Sequence, residues 1–329
     1  MKKHKPKIII TTGDPNGIGP EIILKVFNDK KFSTGFELFV SGNQNVFDYY
    51  SDILKLKNIP PESIIKLNLP KGFNIIPGRI CRSAGKLSGD SIVQSAKLCM
   101  EKEFDALVTM PVSKESLNLG GYKYPGHTEM LKEITHSEEA VMILHSEKFS
   151  VAMITGHIPV SGISKSINRK DSVPYMIRKI ISINNSLVRD LGKKSPRIGM
   201  LALNPHAGDG GLIGREEIKI LIPVIEELNA VGFNIRGPFA ADAYFANEIY
   251  KKFDITISMY HDQGLIPFKM ISFGKGVNFT AGLKIVRTSP DHGTAFDIAG
   301  LGLAETESTK HAIILSDTIS KRLKNHVIC

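Results

Sequence analysis

Short apolar runs alternate with amphipathic stretches along the whole chain. Residues 7–12, 37–40, 106–110, 150–155, 197–203 and 254–259 have the length and apolar content of buried strands, and 312–315 reads as a late one. Between them, apolar positions recur at helical spacing. Pro20 suits the first position of a helix running through Val26. Further helices are predicted over 91–102, from near Thr128, and over 173–191, 216–231 and 297–303. Residues 68–77 are weakly patterned, the segment beyond Pro111 is irregular and polar, and 274–282 is rich in Gly and Asn. Strands alternating with helices predict an α/β fold with a mostly parallel sheet, and no flexible linker interrupts it.

Composition narrows this picture modestly. A chain of 329 residues with 42% hydrophobic and 23% charged residues is globular, with one large or two ordinary domains. Cys81, Cys99 and Cys329 are odd in number and lack CxxC spacing, which fits a reducing cytoplasm and argues against a cysteine-built zinc site. The apolar run 8–10 after the basic start is too short for a signal peptide, and no stretch approaches a membrane span. The net charge of +9 is spread as a lysine-rich surface without a sustained cluster or an aromatic platform, so no nucleic-acid partner is expected. A local basic pocket for a phosphorylated small molecule fits the same charge.

Candidate chemistry gathers at strand ends. His261-Asp262-Gln263-Gly264 follows the run 254–259, placing an imidazole and a carboxylate where open α/β sheets bind ligands. His157 follows SVAMIT and His206 follows RIGMLALNP in the same manner. One histidine after a strand is by default a turn residue. Three in equivalent places also match the ligand number of a catalytic divalent metal, so both readings stand.

Other stretches suit anions. The turn 13–19 has GxxxGxG spacing, not the dinucleotide GxGxxG, and is either a tight turn or a phosphate loop. Thr128, in Gly126-His127-Thr128-Glu129, is either a plain helix cap or, with His127, part of an anion cradle. Lys269, Asn278 and Arg287, nine residues apart, are singly surface residues and jointly a clamp for phosphate or carboxylate. His292-Gly293-Thr294-Ala295, before Asp297, is either a helix start capped by Thr294 or a loop whose glycine admits a ligand and whose imidazole stacks on a base. Residues 208–214 come close to a dinucleotide fingerprint, but Glu216 and Glu217 in the next helical turn would repel a pyrophosphate. That loop is read as shaping the backbone around His206.

Taken together, TGDPNGIGPEI, PVSKESL, YPGHTEML, TGHIPV, LNPHAGDGGLIGREE, GPFAADAYF, MYHDQGLIPFK and GVNFTAGLKIVRTSPDHGTAFDIAG resemble the blocks of the 4-hydroxythreonine-4-phosphate dehydrogenase family, in family order over nearly the whole chain. The resemblance implies an isocitrate/isopropylmalate dehydrogenase-like α/β fold. Its two α/β domains, with an active-site cleft between them, would comprise residues 1–110 with 268–329, and 111–267. It implies a divalent metal (zinc, magnesium or cobalt) on His157, His206 and His261. It assigns a small phosphorylated substrate to His127, Thr128, Lys269, Asn278 and Arg287. NAD or NADP would bind at His292, Gly293, Thr294, Ala295 and Asp297. Asp242 and Asp262 are the candidate proton acceptors. A cytoplasmic homodimer sharing its metal is implied, with His157 and His206 from one chain and His261 from its partner.

The implied reaction oxidises 4-phosphooxy-L-threonine at its 3-hydroxyl and releases CO2, leaving 3-amino-2-oxopropyl phosphate, a step towards pyridoxal 5'-phosphate. One alternative is a dehydrogenase of threonate or erythronate phosphate. Two alternatives of other classes are phosphate-acetyltransferase-like acyl transfer, which needs no three-histidine metal site, and a non-catalytic metal- or phosphate-binding protein.

Overall fold

The computed structural model describes residues 5–326. The basic lead at 1–4 and Cys329, both used in the sequence reading, lie outside them. Among the described residues the strands in chain order are β1 Lys7–Thr11, β2 Glu37–Gly42, β3 Ile64–Lys66, β4 Ala106–Val108, β5 Val141–His145, β6 Ser150–Met153, β7 Arg197–Leu201, β8 Asn234–Phe239, β9 Ile255–Ser258, β10 Val277–Ala281 and β11 Arg287–Pro290. The chain divides into two compact units. The first runs through Glu138 and resumes at Leu283; the second is Glu139–Gly282.

In the first unit the strand order is β3-β2-β1-β4-β11, with all neighbours parallel. Ile8, Ile9 and Ile10 of β1 are fully buried, because a central strand of a parallel sheet is covered on both faces. The Gly-rich turn leads β1 into the helix Gly19–Asn28, with Pro20 in its first turn. The helix predicted over 91–102 begins earlier, as Arg82–Met100, and a short helix, Lys114–Leu119, forms in the segment expected to be irregular. The strand expected at 312–315 is instead part of the helix Glu307–His326. Its buried face pairs Ala312 with Ile313, Ser316 with Asp317 and Ile319 with Ser320, a helical period carried half by polar residues. The helix expected over 297–303 shrinks to the single 3-10 turn Phe296–Ile298.

In the second unit the order is β10-β5-β6-β9-β7-β8. β6, β9, β7 and β8 are parallel, and β5 runs antiparallel to both β10 and β6. Leu144, Phe149, Val151, Met153 and Phe268 form a core cluster on one flank. β5, β8 and β10 were not among the predicted strands; β10 occupies the stretch read as Gly- and Asn-rich. The polar group after β9 lies in a helix, His261–Ser272, which His261 opens. With these adjustments the α/β class and the mostly parallel sheet are as expected.

Candidate active site

In the second unit, β6, β9 and β7 lie side by side in that order, and a histidine follows the carboxyl end of each. The rings of His157 and His261 are 5.1 Å apart, centre to centre. Two imidazoles on one tetrahedral ion sit about 5 Å apart by the same measure, given metal–nitrogen bonds of ~2.1 Å. His261 Nδ1 donates to Asp262 Oδ1 at 2.7 Å, which directs Nε2 outward in the carboxylate–histidine arrangement of metal sites. Asp262, a candidate proton acceptor, is therefore engaged with a histidine; Asp242 is exposed on the helix Ala241–Ala246.

His206 is exposed in a left-handed stretch beyond β7. Among the described residues, no group of three or more His, Cys, Asp or Glu is close enough to hold an ion. The grouping within one chain thus differs from the expected His157 with His206. β6 pairs directly with β9, Met153 opposite Ser258, so it is His157 and His261 that meet.

In the first unit, His127 opens the helix His127–Ile134, and Gly126 is the residue before it. Thr128 is therefore the second helical residue and not the cap. The His127 ring is partly exposed, but its Nε2 is buried without a hydrogen-bond partner. Burial, helped by the charges of Arg287 and Lys114, pushes its pKa down to about 3, so the ring is neutral. Arg287 opens β11 and is 2% exposed, with Nε and Nη2 donating to Thr109 Oγ1 at 3.0 and 2.7 Å. Burial lowers its pKa to about 10, which leaves it charged at neutral pH. A neutral imidazole beside a fixed guanidinium suits an anion.

The loop after β11 is neither a regular helix nor capped by Thr294. Thr294 gives its carbonyl to the amide of Ile18 at 3.0 Å, and Ala295 has φ 41°. Asn16 fastens the neighbouring segment, taking the Ile76 amide at 2.9 Å and donating to the Arg79 carbonyl at 2.7 Å. The turn 13–19 thus forms a shelf for the loop. Asp14 within it is fully buried, and burial raises its pKa, with hydrogen bonds opposing. Gly293 and Asp297 are exposed, and nothing lies within 4 Å of where a Gly293 side chain would start. His292 Nδ1 lies 3.1 Å from the Gly293 carbonyl, while its Nε2 is buried and unpartnered.

In the second unit, Lys269 is exposed in the last turn of His261–Ser272, and Asn278 lies in β10 opposite Leu144. The Oδ1 of Asn278 is also buried without a partner. Among the described residues, eight buried side-chain polar atoms lack hydrogen bonds, and three of them belong to His127, Asn278 and His292. Buried polar atoms are normally satisfied, so these three are open to a hydrogen bond from water or a ligand group. Sequence reasoning missed Glu217. It is 1% exposed and takes the amides of Leu203 and Asn204 just before His206.

Comparisons with known proteins give the family. Residues 35–316 match the family described as Pyridoxal phosphate biosynthetic protein PdxA. The 4-hydroxythreonine-4-phosphate dehydrogenase of Prosthecochloris aestuarii is 40% identical, over 96% of this chain and 98% of its own. The D-threonate 4-phosphate dehydrogenase of Pectobacterium atrosepticum is 36% identical, over 94% and 98%. The crystal structure of 4-hydroxythreonine-4-phosphate dehydrogenase from Klebsiella pneumoniae superposes with a TM-score of 0.84 at 35% identity, covering 96% of this chain and 99% of that one. By its sequence blocks, its fold and these matches, the chain belongs to the PdxA family of pyridoxal phosphate biosynthetic proteins.

Proposed function

We propose that the chain oxidises the 3-hydroxyl of 4-phosphooxy-L-threonine with NAD or NADP and releases CO2, giving 3-amino-2-oxopropyl phosphate. The observation that carries this reading is the set of unpartnered buried atoms on His127, Asn278 and His292. Family membership supplies the reaction class. Overall, the C3 hydrogen leaves as hydride to the nicotinamide and the hydroxyl proton passes to a base. The carboxylate is then lost as CO2 from the β-keto acid, and C2 takes up a proton in its place.

The residues divide the work by their chemistry. Arg287 and Lys269 meet the phosphate with positive charge, and His127 and Thr128 add neutral donors. Asn278 Oδ1 is an acceptor and faces a donor, such as the substrate amino group. His292, Gly293, Thr294, Ala295 and Asp297 receive the dinucleotide, with Gly293 leaving room for its approach. His157 and His261 hold a divalent cation (zinc, magnesium or cobalt), with Asp262 fixing the tautomer of His261. Such an ion, when bound, acidifies the substrate hydroxyl and polarises the carbonyl that replaces it. Asp242 is left as the candidate proton acceptor.

Two imidazoles are fewer than the three protein ligands of a usual catalytic site, so His206 from a second subunit is proposed as the third. A homodimer is supported by exposed apolar side chains on the segments after His157 and His206: Ile158, Val160, Leu212, Ile213 and Ile218. A reducing cytoplasm suits its free Cys81 and Cys99.

NADH or NADPH formation, followed by the absorbance of the reduced nicotinamide with 4-phosphooxy-L-threonine and with D-threonate 4-phosphate, tests the reading. Turnover of the amino acid phosphate is the expected result. Turnover of the threonate phosphate alone would favour the second reading, to which the Pectobacterium relative points. No reduction of either nucleotide with zinc, magnesium or cobalt present would reject both.

A further inference from the structure

The loop that carries His206 adopts a conformation its sequence does not favour. His206, Ala207, Gly208, Asp209 and Gly210 all have positive φ, at 51°, 55°, 81°, 43° and 63°. Only two of the five are glycine, so the stretch is strained and persists because its surroundings fix it. Those surroundings centre on Glu217. One of its carboxylate oxygens takes the amides of Leu203 at 2.9 Å and Asn204 at 2.8 Å, and the other takes Asn204 Nδ2 at 2.9 Å. Gly208 packs so closely that a Cβ there would stand 2.7 Å from the second oxygen.

Glu216 extends the brace. It accepts from Asn204 Nδ2 at 3.0 Å, from Ser164 Oγ at 2.8 Å and from Asn168 Nδ2 at 2.8 Å. Ser164 lies on the helix Ile163–Ile167 that follows His157, and Asn168 ends it. These bonds come from amides and a hydroxyl, not from cations. Burying a carboxylate on neutral donors alone is an expensive way to hold a surface loop. The expense is understandable where the loop must present a side chain at a fixed place.

We propose that Glu217 is a positioning residue that presets His206 for metal coordination, with Glu216 tying that loop to the segment after His157. The inference rests on the reading of His206 as a metal ligand, and the experiment separates the two. Cobalt(II) chloride is titrated into the full-length chain and followed by its visible absorption, with unfolding temperature recorded in parallel. Glu217→Ala is expected to weaken cobalt binding about 10- to 100-fold, the usual effect of losing an outer partner of a ligand. Glu217→Gln keeps an acceptor oxygen for the two amides and regains most of the affinity. A role in folding alone would lower the unfolding temperature and leave cobalt affinity unchanged, and that result overturns the proposal. If Glu217→Ala does not fold, Gly208→Ala carries the test: it crowds the same carboxylate, and unchanged affinity again overturns the inference. His206→Ala is the control. If it binds cobalt as the wild type does, the reading of His206 fails and the inference with it. If it loses cobalt while the Glu217 variants do not, only the inference fails.

Discussion

Burial sets the charge of single residues here, and it does so with a definite sign. The His127 pKa falls to about 3 through burial and then the charges of Arg287 and Lys114. His145, bonded to Ser150, falls to about 4 through burial and then Lys193, with Glu147 opposing. Both lie below the ordinary histidine value of ~6.5, so below that pH the unfolded chain binds more protons than the folded one. Their stabilising contribution is full above pH ~6.5 and is lost as pH falls towards the folded values. The unfolding temperature should therefore drop between pH 7 and 5, and His145→Gln should flatten that slope; an unchanged slope would remove burial of His145 as a cause. On the substrate side, Lys269→Ala and Arg287→Ala should raise KM for the phosphorylated substrate about 10- to 100-fold, since a charge-assisted contact contributes ~1.5–3 kcal/mol. Steady-state kinetics checks it, and a rise confined to the NAD KM would move these residues to the cofactor. The histidines were legible in the sequence because each follows an apolar run. Glu217 was not: a glutamate in a first helical turn reads as surface charge until the loop before it folds back onto the carboxylate.

Among elements, legibility followed apolar content and not burial alone: β11, Arg287–Pro290, is buried throughout but polar, and does not read as a strand. β1, β4, β6, β7 and β9 announce themselves as apolar runs because both of their faces are largely covered. β5, β8 and β10 do not: β8 is largely unburied, and β5 and β10 contain polar residues such as His145, Asn278 and Thr280. The last helix was misread for the converse reason, because Ser316, Asp317 and Ser320 occupy buried positions that a count of apolar residues leaves out. Helix contacts leave a sharper trace in glycine. A Cβ on Gly85, in the helix Arg82–Met100, would stand 1.6 Å from the Ser116 carbonyl oxygen in Lys114–Leu119, so the two backbones touch. Gly85→Ala should destabilise the fold by about 1–3 kcal/mol or more, the cost of overpacking, measured by urea denaturation. A variant as stable as the parent would show that these helices separate freely.

For the whole molecule, the sequence blocks were enough for the fold class and the family, but not for which histidines lie side by side within one chain. That depends on β6 lying beside β9, a pairing between strands about 100 residues apart that no local pattern carries. The observed neighbours give a sharp expectation for hybrid dimers. Mixing His157→Ala with His206→Ala should restore about a quarter of the sites, because half the dimers are hybrids and each hybrid holds one intact site. Mixing His157→Ala with His261→Ala should restore none, since each site draws both residues from one chain and so keeps one defect. NADH formation by verified hybrids tells the two apart, and recovery in the second mixture would place His157 and His261 on different subunits. The division of the chain has one more consequence, for synthesis. The second unit is one unbroken stretch, whereas the first needs residues from both ends of the chain. A ribosome therefore delivers all of Glu139–Gly282 while the first unit still lacks β11 and the helix Glu307–His326. The domain that starts first finishes last, and until β11 emerges the nascent β4 waits with its β11-facing edge open. A chain truncated just before Leu283 would keep every residue of the second unit and leave the first with an unpaired strand edge, the kind of surface that chaperones bind and that drives aggregation.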